Sequence, residues 1–213
     1  MANILLGVTG SVAALKTPLM YEMLRRPGHA VKVVATQASR YFFDAADIPR
    51  DALVLDEDEW PGRGEGRRWQ REEEVLHIQL RRWADILLVA PLDANTLAKL
   101  ANGLADNCLT CVWRAWEPSR PVLLAPAMNT LMWRHPATGR HLRQLVADMG
   151  ATSPSDLALE ELLDWINVHC PRLRIAAPEN RRLACGDVGV GAMAALETIA
   201  ALLQTLMRSE PRP

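Results

Sequence analysis

The stretch Ile4-Leu5-Leu6-Gly7-Val8-Thr9-Gly10-Ser11-Val12 sets an uncharged apolar run directly before a glycine-bearing turn and the start of a helical pattern. Short, continuous apolar runs of this kind read as strands buried on both faces. Working outward, apolar runs recur at Val31 to Val34, where Lys32 is a single charge, and at Ile86 to Ala90 and Val122 to Ala125. Helical patterns lie between and after the runs, at Val12 to Leu24, Ala94 to Leu104 and His135 to Met149. Strands alternating with helices predict right-handed crossovers and a parallel, doubly wound α/β sheet. Such sheets bind ligands beyond the carboxyl ends of their strands, so the turns that enter the helices are the places to look for chemistry.

Composition bounds the rest. The chain has 213 residues, 49% hydrophobic and 23% charged, which suits one globular domain with a sizeable core. A formal net charge of -1 excludes bulk attraction to nucleic acid or an anionic membrane, so an acidic ligand has to be held locally. Cys108, Cys111, Cys170 and Cys185 are too few and too irregular for a disulfide framework and read as reduced cytosolic thiols. Met1 to Gly10 lacks the features of a signal peptide, and Ile86 to Val89 is too short to span a bilayer, so a cytoplasmic protein is expected. Residues 1–208 are expected to form a single domain, with 209–213 a frayed tail. Two stretches break the rhythm. Pro61 to Glu74, rich in Gly, Arg and Glu, reads as a solvated loop. Ser153 to His169 reads as one amphipathic helix, with a start signal at Ser153 and Asp156 and apolar residues at Leu159, Leu162, Leu163 and Ile166.

Several constellations carry chemistry. Gly10 and Ser11 close the first strand at a turn where glycine lets the backbone approach an anion and a helix start offers unpaired N–H groups. It is neither the spaced dinucleotide fingerprint nor a P-loop, so a phosphate site and a plain tight turn both fit. Asp93-Ala94-Asn95-Thr96 leaves the strand ending at Ala90, and its short polar side chains suit the edge of a flat heterocycle as well as a helix cap. Pro126 to Trp133 follows another strand, and within it Asn129 can donate to a carboxylate without neutralising it. His77 stands among apolar residues, where a core histidine and a catalytic base are both open readings. No histidine has Cys, Asp or Glu at metal-ligand spacing, so no metal site is expected. Cys108 and Cys111 form a lone CxxC and read as buried packing, whereas Cys185 sits in a glycine-rich stretch that suits a lid carrying a proton donor.

Five segments occur together in one order: Leu76 to Asp85 (LHIQLRRWAD), Pro91 to Lys99 (PLDANTLAK), Asp106 to Thr110 (DNCLT), Pro126 to Trp133 (PAMNTLMW) and Ala184 to Met193 (ACGDVGVGAM). In these the chain resembles the homo-oligomeric flavin-containing cysteine decarboxylases, and within them the stand-alone phosphopantothenoylcysteine decarboxylases. The resemblance implies a flavodoxin-like Rossmann three-layer sandwich assembled as homotrimers, or as a dodecamer of trimers, with active sites between subunits. It implies that FMN is gripped at its phosphate by Gly10, Ser11 and Val12 with Thr36 and Ser39. The ring would lie against Asp93, Ala94, Asn95 and Thr96, near Phe42 and Ala127. Asn129 would meet the substrate carboxylate, His77 would be the base, and Cys185 would be the proton donor on a clamp that includes Ala184, Gly186 and Met193. The implied reaction oxidises the cysteinyl CH2–SH to a thioaldehyde, loses carbon dioxide to give an enethiolate and reduces that to 4′-phosphopantetheine, a step of coenzyme A biosynthesis. Two alternatives remain at this point: oxidative decarboxylation of a peptide's carboxyl-terminal cysteine, and a flavin-binding regulatory subunit without catalysis. This chain departs from the pattern with Asp93 at a position often Ser, and with the Ser153 to His169 insertion before the clamp.

Overall fold

The computed structural model describes residues 1–183 and 186–208. Its centre is a parallel sheet of β1 (Asn3–Val8), β2 (Ala30–Ala35), β3 (Leu53–Leu55), β4 (Ile86–Leu92), β5 (Val122–Pro126) and β6 (Leu173–Ile175), in the order β3-β2-β1-β4-β5-β6. Setting aside the three-residue edge strand β3, the order is that of flavodoxin-like folds, as expected. The chain winds to one side through β2 and to the other through β4. The crevice where the winding reverses therefore lies at the carboxyl ends of β1 and β4.

Side-chain alternation along the strands builds the two flanking layers. Ile4, Leu6 and Val8 of β1, with Ile86, Leu88 and Ala90 of β4, pack toward α1 (Thr17–Arg25) and α9 (Leu196–Arg208). Leu5, Leu87 and Val89 face the opposite layer. That layer holds α3 (Leu76–Trp83), α4 (Ala94–Asn102), α5 (Cys108–Arg114), α7 (Pro136–Asp148) and α8 (Leu159–His169). Complete burial of each such side chain stabilises the fold by about 1.5–3 kcal/mol, which explains why no charge interrupts these runs.

The structure revises several boundaries. The pattern at Val12 to Leu24 divides into a 3-10 turn, Val12–Lys16, and α1. Pro18 has no N–H to offer the Ala14 carbonyl, and the Thr17 hydroxyl donates to it instead at 2.7 Å. The His135 to Met149 pattern is α7, preceded by a separate short helix α6 (Thr130–Arg134). His135 caps α7 by accepting from Ala137 N at 3.2 Å, and Pro136 occupies its first turn. The expected helix from Ser153 begins six residues later, at Leu159, because the Glu161 carboxylate takes up the Ala158 N–H at 2.8 Å. Leu162, Leu163 and Ile166 are buried against the body of the chain. Two strands beyond the main sheet, β7 (Glu179–Arg182) and β8 (Val188–Ala192), pair as an antiparallel hairpin.

Candidate active site

Three turns converge at the crevice. Thr9, fully buried, donates through Oγ1 to the Pro91 carbonyl and accepts from Asp93 N, both at 2.8 Å, which locks the turn after β1 to the turn after β4. A Cβ added to Gly10 would lie 2.7 Å from Ala38 Cβ and 3.2 Å from an Asp93 carboxylate oxygen, so only glycine lets the three turns close up here. Asp93 caps α4 by accepting from Thr96 N at 2.6 Å. Thr96 is buried, Ala94 half-buried and Asn95 exposed. Thr36 and Ser39 are buried too, but their hydroxyls donate to Val8 O and Thr36 O. Those protons brace the turn after β2. Phe42 lies edge-on to Tyr41, its ring 5.2 Å away, over a shallow hollow of its own.

A cavity of about 460 Å³ opens beside Gly10, walled by Ser11 and Val12 on one side and Ala127, Met128 and Asn129 on another. Asn129 caps α6. Its Oδ1 accepts from Leu131 N at 2.9 Å and Met132 N at 3.1 Å, which turns the amide NH2 away from the helix as a free donor. The β7–β8 hairpin closes the third wall, with Arg181 and Arg182 on β7 and Met193 beyond β8. Its contact is intimate: Met128 N donates to Gly191 O at 2.9 Å, and a Cβ at Gly191 would sit 2.1 Å from the Met128 carbonyl. Gly186 is exposed at the hairpin's connection; Ala184 and Cys185 lie outside the described residues.

His77 lies elsewhere, in the first turn of α3, facing a second cavity of about 400 Å³. The loop Pro61 to Glu74 is largely exposed, as expected, and its Arg67 and Trp69, with Trp60 before it, also wall this cavity. His77 Nδ1 lies 2.5 Å from an oxygen of Glu59, the last residue of the short helix α2 (Asp56–Glu59). Glu59 was missed in the sequence because Asp56-Glu57-Asp58-Glu59 resembles an ordinary solvated acidic run. Cys108 is buried, as expected, and its thiol is pushed well above the usual range by burial and by the charge of Glu59. Cys111 is only half-buried. Its Sγ, with Glu59 and His77, forms a group whose ligand atoms all lie within 4.8 Å of one another, which no spacing along the chain could show.

With this geometry in hand, the likeness to known proteins is specific. The chain matches the Flavoprotein family over residues 1–208. It is 45% identical over 207 residues to a phosphopantothenoylcysteine decarboxylase of Mus musculus, covering 96% of this chain and 87% of that one. A solved structure of a cysteine-to-serine mutant of PPC decarboxylase, complexed with pantothenoylaminoethenethiol, superposes with a TM-score of 0.78 at 38% identity, covering 97% of this chain and 98% of that chain. The FMN-binding protein AtHal3 superposes with a TM-score of 0.76 at 38% identity, over 99% of each chain. The residues at the crevice fit FMN: Gly10 lets the turns close up, and next to it Ser11 and Val12 face Ala127, Met128 and Met193 across an open cavity. This chain belongs to the Flavoprotein family.

Proposed function

We propose that the chain is an FMN-dependent carboxy-lyase converting 4′-phosphopantothenoylcysteine to 4′-phosphopantetheine in coenzyme A biosynthesis. One observation carries the reading of the site: Asn129 lines the cavity at the sheet's crevice with its Oδ1 engaged in its own cap, which leaves the amide NH2 as the donor for a ligand. A carboxylate that must leave as carbon dioxide is best held by such a neutral donor, because a cation would stabilise the charge that has to be lost. Bound FMN supplies a two-electron sink that is restored within the cycle. Gly10, Ser11 and Val12 hold its phosphate, with Thr36 and Ser39 bracing the turn. Asp93, Ala94, Asn95 and Thr96 lie against its ring, with Ala127 and Phe42 nearby. His77 accepts a proton at Nε2, the nitrogen left over once Nδ1 has met Glu59. Cys185, in the β7–β8 connection with Ala184 and Gly186, returns a proton to the product.

His77 and Asn129 face different cavities of the single chain, and the active site is completed between copies. Leu15, Leu19, Leu131 and Met132 are exposed apolar residues suited to burial by a second copy, which supports a homotrimer or a larger assembly of trimers. A cytoplasmic location fits the free thiols of Cys108, Cys111 and Cys170 and the finding that no helix of the described residues is long and apolar enough to cross a membrane. Residues 1–208 act as one flavoprotein unit.

The second reading, decarboxylation of a peptide's terminal cysteine, is disfavoured by Lys16, Arg181 and Arg182 around the cavity, which suit a phosphorylated small molecule. Mass spectrometry of products from phosphopantothenoylcysteine and from a cysteine-terminated peptide separates the two. Release of carbon dioxide from the small molecule alone is expected, and turnover of the peptide alone would reverse the assignment. Cys185→Ser is expected to decarboxylate but to release the oxidised enethiol, two mass units below the normal product. Normal product from that variant would remove Cys185 from the mechanism.

A further inference from the structure

Glu59 is the most enclosed carboxylate among the described residues, with its side chain 3% exposed, and both its oxygens are directed at His77. Oε2 accepts the main-chain N–H of His77 at 3.0 Å, and Oε1 lies 2.5 Å from the ring Nδ1. A carboxylate buried to this degree is costly unless its lone pairs are satisfied, and one histidine satisfies both oxygens. The residues around Glu59 are themselves pinned. Asp56 accepts from Gln37 N at 2.8 Å and from Cys108 N at 3.3 Å, which docks α2 onto the turn after β2 and onto the start of α5. Asp58 accepts from Leu55 N at 2.8 Å and pairs with Arg50 at 2.7 Å. Three of the four acidic residues of α2 therefore build the fold or the site, and Glu59 is the one aimed at the base.

We infer that Glu59 is a positioning residue for the decarboxylase reaction, holding the His77 ring by its main-chain and Nδ1 hydrogens so that Nε2 alone is presented as the proton acceptor. The inference rests on the reading of His77 as the base and adds the group that sets its tautomer. With both oxygens of Glu59 accepting, the ring hydrogen belongs on Nδ1 and the lone pair on Nε2. The buried thiol of Cys108 is held neutral by burial and by the nearby charge of Glu59, so it places no second charge beside that carboxylate. The arrangement has the logic of an acid–histidine pair in which the carboxylate orients the imidazole without itself taking the proton.

The test uses FMN-loaded enzyme with ¹⁵N-labelled histidine, at a pH where the ring is neutral, with the His77 signals assigned by their loss in His77→Asn. The hydrogen is expected on Nδ1. Glu59→Gln preserves shape, but its amide NH2 donates to Nδ1, so the ring hydrogen is expected to move to Nε2. Turnover should then fall roughly 10²–10⁴-fold with FMN content and KM little changed. Wild-type tautomer and wild-type turnover in Glu59→Gln would overturn the inference. So would native enzyme with its hydrogen on Nε2, a result that stands even if the variant fails to fold. Stoichiometric zinc in the purified enzyme, lost in Cys111→Ala, would also overturn it by assigning Nδ1 to a metal. Full turnover in His77→Asn would instead defeat the reading of His77 as the base, and the inference with it.

Discussion

The cavity beside Gly10 and the cavity at His77 are built in opposite ways. The cavity beside Gly10 is made of turns that each leave the end of a parallel strand, so its walls follow from the winding of the sheet, and the hairpin that closes it docks through glycine. The cavity at His77 is made of a crossover loop and a one-turn acidic helix that only long-range packing brings to α3. The first suits a cofactor and a substrate carboxylate, which need fixed main-chain and amide donors. The second suits proton transfer, which needs one ring held in one orientation. On the proposed function both are needed, and variants can weaken either alone.

The largest effect is expected at the second cavity. His77→Asn should lower turnover of phosphopantothenoylcysteine by roughly 10²–10⁴-fold while FMN, held at the other cavity, is retained in full. Steady-state kinetics with an absorbance measurement of bound flavin checks this, and loss of flavin together with activity would erase the separation between the cavities. A smaller effect is expected at the first. Asn129→Asp keeps the α6 cap, since Asp and Asn cap about equally well, but turns a neutral donor into a carboxylate that faces the substrate's carboxylate. Its kcat/KM should fall on the order of 100-fold through like-charge repulsion, with thermal unfolding unchanged. A fall in stability of the size of the fall in activity would show that Asn129 is only a cap. The smallest effect on activity is expected away from both cavities. Leu162→Ala in α8 should cost about 2–5 kcal/mol of stability through the cavity it leaves, read as a lowered melting temperature. Turnover at room temperature should hold. If it drops in parallel, the inserted helix shapes an active site and is not simply part of the core.

Legibility followed the same division. Asn129, Gly10 and Asp93 stood out in the sequence because strand-end turns advertise themselves by short polar residues after an apolar run; Gly10 and Asp93 lie where the turns meet, and Asn129 lines the cavity next to them. His77 was visible as a residue, but its partner was not. Glu59 stands 18 residues away within an acidic run, and whether such a carboxylate faces water or a buried imidazole depends on where α2 docks. The start of α8 was misplaced for a related reason: Ser153 and Glu161 both offer capping groups, and packing selected the helix that Glu161 caps.

The sequence by itself determined the layered α/β sheet, because short apolar strands alternating with amphipathic helices bury their faces in one way. It also pointed to the carboxyl ends of the strands as the place for a ligand, and the spatial order of the strands then set the crevice at β1 and β4. Only the tertiary structure decided which polar groups face one another across that frame. The Thr36 and Ser39 hydroxyls turned inward to main-chain carbonyls, the Asn129 amide was oriented by its own cap, and Glu59 was buried against His77. The physical reason is range. Apolar periodicity is local and additive along the chain, whereas a hydrogen bond is fixed by tenths of an ångström between groups that the chain itself holds far apart.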